Sequence, residues 1–344
     1  MEFDLMARAS TWTETADLAK KLELGGFSGM LMTESSQVPW MVIAAAAMAA
    51  PTLHFSTGIA VAFPRSPMMS AQIAWELARN TEGRFRLGLG SQVKAHVTRR
   101  YSSQFDRPAP QMKDYLKAVR ACFKAFRREG RLEHEGPYYN MSLLPEQWAP
   151  SRHNHEDIKL DISAVGPFMT KVAGEVADGI HVHPMHSMHY IENRLLPKLA
   201  EGAAKAGRDP DEIDLIIPVM AIPGDSAEER AKATIKAKTQ IGFYGATPNY
   251  AFQFDDLGYS GMRQKLRVLL RSGDTKKMVA MIDDEILNQF ALPARWDDMA
   301  DKLIGRYKDK ATRLAMYHAE DSIRENPGNL GKWCEISRAV RSTK

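Results

Sequence analysis

Apolar and polar residues along this chain alternate with two periods, and the periods take turns from one end to the other. Short runs rich in branched apolar residues, each bounded by glycine, proline or a polar cluster, mark strands at 3–6, 29–33, 53–62, 85–89, 158–163, 179–183, 213–219 and 313–317. Helices are expected between them. Thr11 and Glu14 form a T-x-x-E capping box that opens one helix, and Gly25 and Gly26 close it. The alanine-rich stretch 38–50 ends at Pro51, and Ser66–Pro67 opens a helix in which Met69, Ile73 and Leu77 align. In 112–128, Leu116, Val119, Phe123 and Phe126 make a buried stripe. Further helices are expected at 191–206, behind a second capping box at Ser226 and Glu229, at 278–290 and at 296–307. Pro218 is expected at a strand end, because proline cannot donate to a ladder. The tail from Asp321 reads as loosely ordered, apart from a short helix near Trp333.

Eight strands separated by helices predict an α/β fold of the (β/α)8 TIM-barrel type, one domain over 1–344. Two stretches break the rhythm, 131–159 and 244–274, and read as insertions at the C-terminal face of the barrel. Composition fits a globular protein with a sizeable core: 44% hydrophobic and 26% charged residues. The net charge of +4 is spread among acidic residues, which argues against a nucleic-acid partner. Two distant cysteines, Cys122 and Cys334, build no disulfide framework and point to a cytoplasmic setting. The apolar run 41–50 is too short to span a bilayer, so no membrane association is expected.

The segment 161–184 (DISAVGPFMTKVAGEVADGIHVHP) carries the most chemistry. It reads strand, glycine turn, helix, strand, and Val165-Gly166-Pro167 sits where strand hands over to helix. Backbone N–H groups and the positive end of a helix dipole converge there, which suits a phosphate; an ordinary tight turn has the same letters. Three more stretches keep company with it: 57–67 (TGIAVAFPRSP), 83–96 (GRFRLGLGSQVKAH) and 241–250 (IGFYGATPNY). In this order, and over about 18–286, they resemble the luciferase-like monooxygenase superfamily, and within it the deazaflavin (coenzyme F420)-dependent oxidoreductases. The resemblance implies the same barrel. It implies that Ala164, Val165, Gly166 and Met169 hold the cofactor phosphate, that Gly58, Ile59, Ala60 and Val61 pass behind the flat ring, often with a non-prolyl cis peptide, and that Ser91 lies beside it.

Candidate catalytic groups lie just past the strands. Trp40 matches a tryptophan of the sugar-phosphate dehydrogenases in that superfamily, whereas their histidine position holds Ser35 or Ser36 and their acid after strand four is not evident in 91–94, which puts a sugar phosphate in doubt. Glu34 reads as a ring partner, a base or a structural acid. His181, His183, His186 and His189 cluster in sequence; His183 is taken as donor or proton shuttle, and no metal is expected. Lys94, Arg99, Arg100 and Arg107, with Lys171, suit the acidic tail of a deazaflavin, and the aromatics Phe243, Tyr244, Tyr250, Phe252 and Phe254 suit a lid. The reading that follows is hydride transfer between coenzyme F420 and a small organic substrate. Two others share the same residues: an FMN-dependent monooxygenase using O2, and a flavin or deazaflavin binder without turnover. A homodimer and a flavin or F420 reductase partner are expected with either enzyme reading.

Overall fold

The computed structural model describes residues 1–343. Its strands are β1 (Glu2–Arg8), β2 (Gly29–Thr33), β3 (His54–Thr57), β4 (Ala60–Val61), β5 (Phe85–Gly90), β6 (His134–Glu135), β7 (Asn140–Met141), β8 (Lys159–Ser163), β9 (Gly179–His181), β10 (Asp214–Pro223), β11 (Ala291–Ala294) and β12 (Arg313–Met316). Eight of them close a parallel ring in the order β1-β2-β3-β5-β8-β9-β10-β12, with β12 back on β1. This is a TIM barrel. β4 resumes the course of β3 after a break and pairs with β5, and β11 adds to the far half of β10.

Helices pack around the ring. They are α1 (Trp12–Gly25), α2 (Trp40–Ala49), α3 (Pro67–Asn80), α4 (Lys94–Arg99), α5 (Pro108–Phe126), α6 (Pro167–Val176), α7 (Met188–Tyr190), α8 (Leu196–Lys205), α9 (Ala227–Gly245), α10 (Phe252–Asp256), α11 (Met262–Ser272), α12 (Thr275–Ala280), α13 (Asp284–Phe290), α14 (Trp296–Tyr307), α15 (Ala319–Glu325) and α16 (Asn329–Ser342). A π turn, Ile191–Leu195, joins α7 to α8. The capping signals are realised: Thr11 and Glu14 cap α1 reciprocally, Ser66 caps α3 with Pro67 in its first turn, and Ser226 accepts from the Glu229 amide on α9. The apolar stripe of α5 is buried as its spacing predicts, with Leu116, Val119, Phe123 and Phe126 inside.

Inside the ring, the floor is ionic. Arg313 of β12 meets Asp4 of β1 through two bonds of 2.7 Å, and Arg86 of β5 holds Asp161 of β8 at 2.7 and 2.8 Å and Asp214 of β10 at 2.6 Å. Forked guanidinium–carboxylate pairs satisfy the lone pairs that burial would otherwise strand. Above the floor, Met6, Leu31, Ile216 and Ala315 form a small apolar layer, and the part-exposed Tyr317 packs on its upper side.

Four expectations are corrected. Pro218 stands in mid-strand, because β10 runs on to Pro223. Its position is tolerated for a geometric reason: pairing with β9 ends at Ile216 and pairing with β11 starts at Met220, so the missing N–H faces a gap between two neighbours. The stretch 278–290 is two helices rather than one, and the strand β11 that follows was not anticipated. The tail is ordered as α15 and α16, with Trp333, Cys334, Ile336 and Val340 buried. The insertion at 131–159 leads from α5 into the start of β8, so it lies along the barrel flank and not at the C-terminal face. There Asp114 of α5 accepts from the amides of Tyr138 and Tyr139 at 2.9 and 3.0 Å, and Trp75 of α3 donates to the Ser151 carbonyl at 3.0 Å.

Candidate active site

Every βα connection of a TIM barrel opens on the C-terminal face, so side chains just past the strands converge there. The first wall is the break between β3 and β4. The Gly58–Ile59 peptide is cis. A Cβ at Gly58 would lie 2.0 Å from Leu31 Cδ2, so a larger residue here would have to displace the buried Leu31 side chain of β2. Glu34, just past β2, fastens the break. Its backbone N–H donates to the Ile59 carbonyl at 3.3 Å, and Oε2 accepts from the Val61 N–H at 2.8 Å. Arg65 then grips both carboxylate oxygens at 2.8 and 2.7 Å and donates to the Val61 carbonyl at 2.7 Å. The Arg65 guanidinium lies 5.6 Å from the Trp40 ring centre, and Trp40 is itself buried at the start of α2. The Glu34 carboxylate thus ties the Val61 backbone to the Arg65 guanidinium.

The second wall follows β8. Ala164 is buried, while Val165 and Gly166 are half-buried and Gly166 stands at the N-cap of α6. Tyr190 donates its hydroxyl to the Val165 carbonyl at 3.0 Å, which fixes the turn from below. Among the described residues, no protein acceptor takes the amides of Gly166, Phe168 or Met169, and Pro167 between them has none to offer. A Cβ at Gly166 would have nothing within 4 Å. Open space thus meets unclaimed donors at the positive end of a helix. The two walls touch through Ile59 and Ser163: a Cβ on Gly90, at the end of β5, would come within 2.5 Å of Ile59 Cδ1 and 2.7 Å of Ser163 Oγ. Ser91 comes next, its hydroxyl bonded to the Gln92 carbonyl at 3.2 Å.

The third wall follows β9. His183 stacks on Tyr250 with ring centres 4.0 Å apart and meets Tyr244 edge-on at 4.5 Å. Its Nδ1 accepts from the Met185 N–H at 3.1 Å, so a neutral ring carries its proton on Nε2. Burial pushes its pKa down to about 3, which keeps the ring neutral at physiological pH. The four neighbouring histidines go separate ways. His181 points into the barrel interior, 3.8 Å from Asp161; His186 bonds the Tyr307 hydroxyl at 3.1 Å; His189 is exposed. Lys94, Arg99, Arg100 and Arg107 are exposed without acidic partners among the described residues, whereas Lys171 is paired with Glu201 on α8.

The sequence profile of the luciferase-like monooxygenase family matches residues 2–313. The chain belongs to that family. An uncharacterised protein from Mycobacterium tuberculosis is 34% identical over 299 residues, 87% of this chain and 88% of its own. The 5,10-methylenetetrahydromethanopterin reductase of Methanopyrus kandleri is 23% identical and covers 88% of both chains. The solved coenzyme F420-dependent tetrahydromethanopterin reductase from the same organism superposes with a TM-score of 0.75 at 21% identity, covering 91% of this chain and 92% of that one. The oxygenating constituent of 3,6-diketocamphane monooxygenase from Pseudomonas putida, solved with FMN, gives 0.64 at 16% identity over 99% and 97%. This luciferase-like barrel is therefore an oxidoreductase, and the proteins it resembles include a coenzyme F420-dependent reductase and a monooxygenase constituent solved with FMN. No helix among its described residues is long and apolar enough to cross a membrane.

Two residues of the luciferase-like mouth escaped the sequence reading. Arg65 sits inside the stretch 57–67, but nothing in the letters ties it to an acid 31 positions earlier. Tyr317 closes the last expected strand, where a tyrosine past a barrel strand is itself a signal; its hydroxyl lies 3.0 Å from that of Tyr244.

Proposed function

We propose that this protein moves a hydride between coenzyme F420 and a small organic substrate. The observation that carries the reading is the pairing of unclaimed amides with open space at Gly166, beside the Gly58–Ile59 wall. The residues fit the group: an anion would find the N–H donors of Gly166, Phe168 and Met169, and a planar ring would find the backbone of Gly58, Ile59, Ala60 and Val61, with Ser91 at its margin. Ala164 and Val165 shape the turn and Met169 flanks it. The bound deazaflavin would supply two-electron hydride chemistry; the chain supplies anchoring, a rigid wall and exclusion of water. Glu34 acts as a positioning residue through Val61 and Arg65, Trp40 backs Arg65, and the Nε2–H of His183 is a donor in the mouth. The F420-dependent relatives and the unpaired Lys94, Arg99 and Arg100 favour the deazaflavin with its acidic tail over FMN. We also propose a cytoplasmic homodimer, checked by light scattering of the purified protein.

Titration with F420 and with FMN, read by fluorescence quenching, tests the reading. Tighter binding of F420, weakened by added salt through loss of the tail's attraction, is the expected result. Tighter FMN binding would move the protein to the oxygen-using side of its family, and indifference to both would remove the redox assignment.

A further inference from the structure

The mouth contains a hydroxyl pair that none of the roles above uses. Tyr317 extends the inward-facing row of β12, above Arg313 and Ala315, and packs on Met6, Leu31, Ile216 and Ala315. Tyr244, from the last turn of α9, brings its hydroxyl to 3.0 Å from that of Tyr317 and sets its ring edge-on to His183. Both tyrosines and His183 are half-buried, so each keeps part of its surface open to the mouth. Two hydroxyls in contact hold two protons and spend one on each other, which leaves one O–H to donate outward. Position says which: Tyr317 continues the inward-facing row of β12, while Tyr244 reaches over from α9, so Tyr317 is the one placed to donate toward the barrel axis, with Tyr244 behind it. Burial raises both phenols, which keeps both protonated.

The charges around the pair are already spent. Arg8 and Lys236 both bind Asp321, at 2.5 Å in the case of Arg8, and Arg65 is held by Glu34. Among the described residues, a phosphate or carboxylate arriving at this corner meets no cation free of a carboxylate partner. It meets hydroxyls, a neutral imidazole and aromatic faces.

We propose that Tyr317, backed by Tyr244, donates the proton to the reacting oxygen of an uncharged carbonyl substrate, or takes it from the corresponding alcohol, and that this corner does not receive a phosphate-bearing group. The inference rests on the hydride-transfer reading above. Reduction of C=O adds a hydride at carbon and a proton at oxygen; the electron pair of the π bond passes to oxygen, Tyr317 gives that oxygen its proton, and the phenolate regains one from water. The hydride is the reduced deazaflavin's share. Tyr244 is a positioning residue, acting through Tyr317.

A nitrophenolate oxygen mimics the oxyanion that forms at the substrate oxygen, and nitrobenzene has the same ring without it. Binding of 4-nitrophenol, followed by its phenolate absorbance band, and of nitrobenzene are measured on the wild type, Tyr317→Phe and Tyr244→Phe, with F420 affinity read in parallel. The wild type is expected to bind both probes. Tyr317→Phe should weaken 4-nitrophenolate about tenfold and Tyr244→Phe about threefold, with nitrobenzene held within about twofold. No binding of 4-nitrophenol by the wild type, equal binding by Tyr317→Phe, or parallel loss of both probes would overturn the proposal, the last because it marks a packing role. F420 affinity separates the two readings: failure to bind F420 in every protein defeats the hydride-transfer function, whereas normal F420 binding with unchanged probe affinities defeats only the tyrosine pair.

Discussion

Glu34 shows how a residue visible in the sequence acquires its role from one that is not. An acid just past a barrel strand is a fair candidate for chemistry, and the letters leave base, ring partner and structural acid open. The structure spends its oxygens on the Val61 N–H and on Arg65, with the Glu34 side chain 2% exposed and that of Arg65 17%. A carboxylate buried this deeply depends on its partner. Arg65→Met is expected to cost about 3–5 kcal/mol in urea unfolding, and Glu34→Gln in the same chain should recover part of it by removing the stranded charge. A loss below the error of the measurement would mean that the pair does not hold the β3–β4 break. Trp40 could be singled out through the family resemblance, whereas the pairing across 31 positions could not be read, because charge complementarity has no local signature.

At the scale of elements, periodicity and caps were enough where an element buries one face. The helices at Thr11 and Ser66 begin at their capping residues, and the stripe of α5 is buried as spaced. The failures share a cause: a tertiary partner outweighed local preference. β10 carries a proline through its middle because its neighbours change there. The C-terminal helix α16, rich in basic residues, reads as weak until Trp333 meets Phe3 and Trp296, with ring centres 6.4 and 5.5 Å away. Its indole N–H is buried without an acceptor. Trp333→Ala should therefore cost about 3–5 kcal/mol in chemical denaturation, whereas Trp333→Phe, which keeps most of the volume and removes the stranded donor, should cost less than about 1.5 kcal/mol. Equal losses for the two would show that volume does not govern this contact.

For the molecule as a whole, eight strands and their closure were readable from the alternation of periods, and the ionic floor was not, since Asp4, Arg86, Asp161 and Arg313 look like ordinary strand-end charges. His181 sits beside that floor, 3.8 Å from Asp161, and His186 is buried against Tyr307 of α14. Burial lowers each from the ordinary 6.5 to about 4. Both are neutral in the fold, and the unfolded chain takes up their protons below about pH 6.5, so stability is lost as pH falls from there toward 4. The expected slope is about 1.4 kcal/mol per pH unit for each, seen as a falling urea midpoint, and shallower by one proton in His186→Gln. A midpoint independent of pH across that window would contradict the neutral interior. The proposed cofactor site centres on the cradle at the head of α6. Gly166 has φ −79°, a conformation open to any residue, and free space where a side chain would go. Gly166→Val should leave the melting temperature within a few degrees, since such a cap exchange costs about 1 kcal/mol. The decisive measurement is the dissociation constant for F420 of this variant against the wild type: a loss of about tenfold or more is the expected result, and an unchanged constant with an intact fold would show that the cofactor phosphate does not dock there.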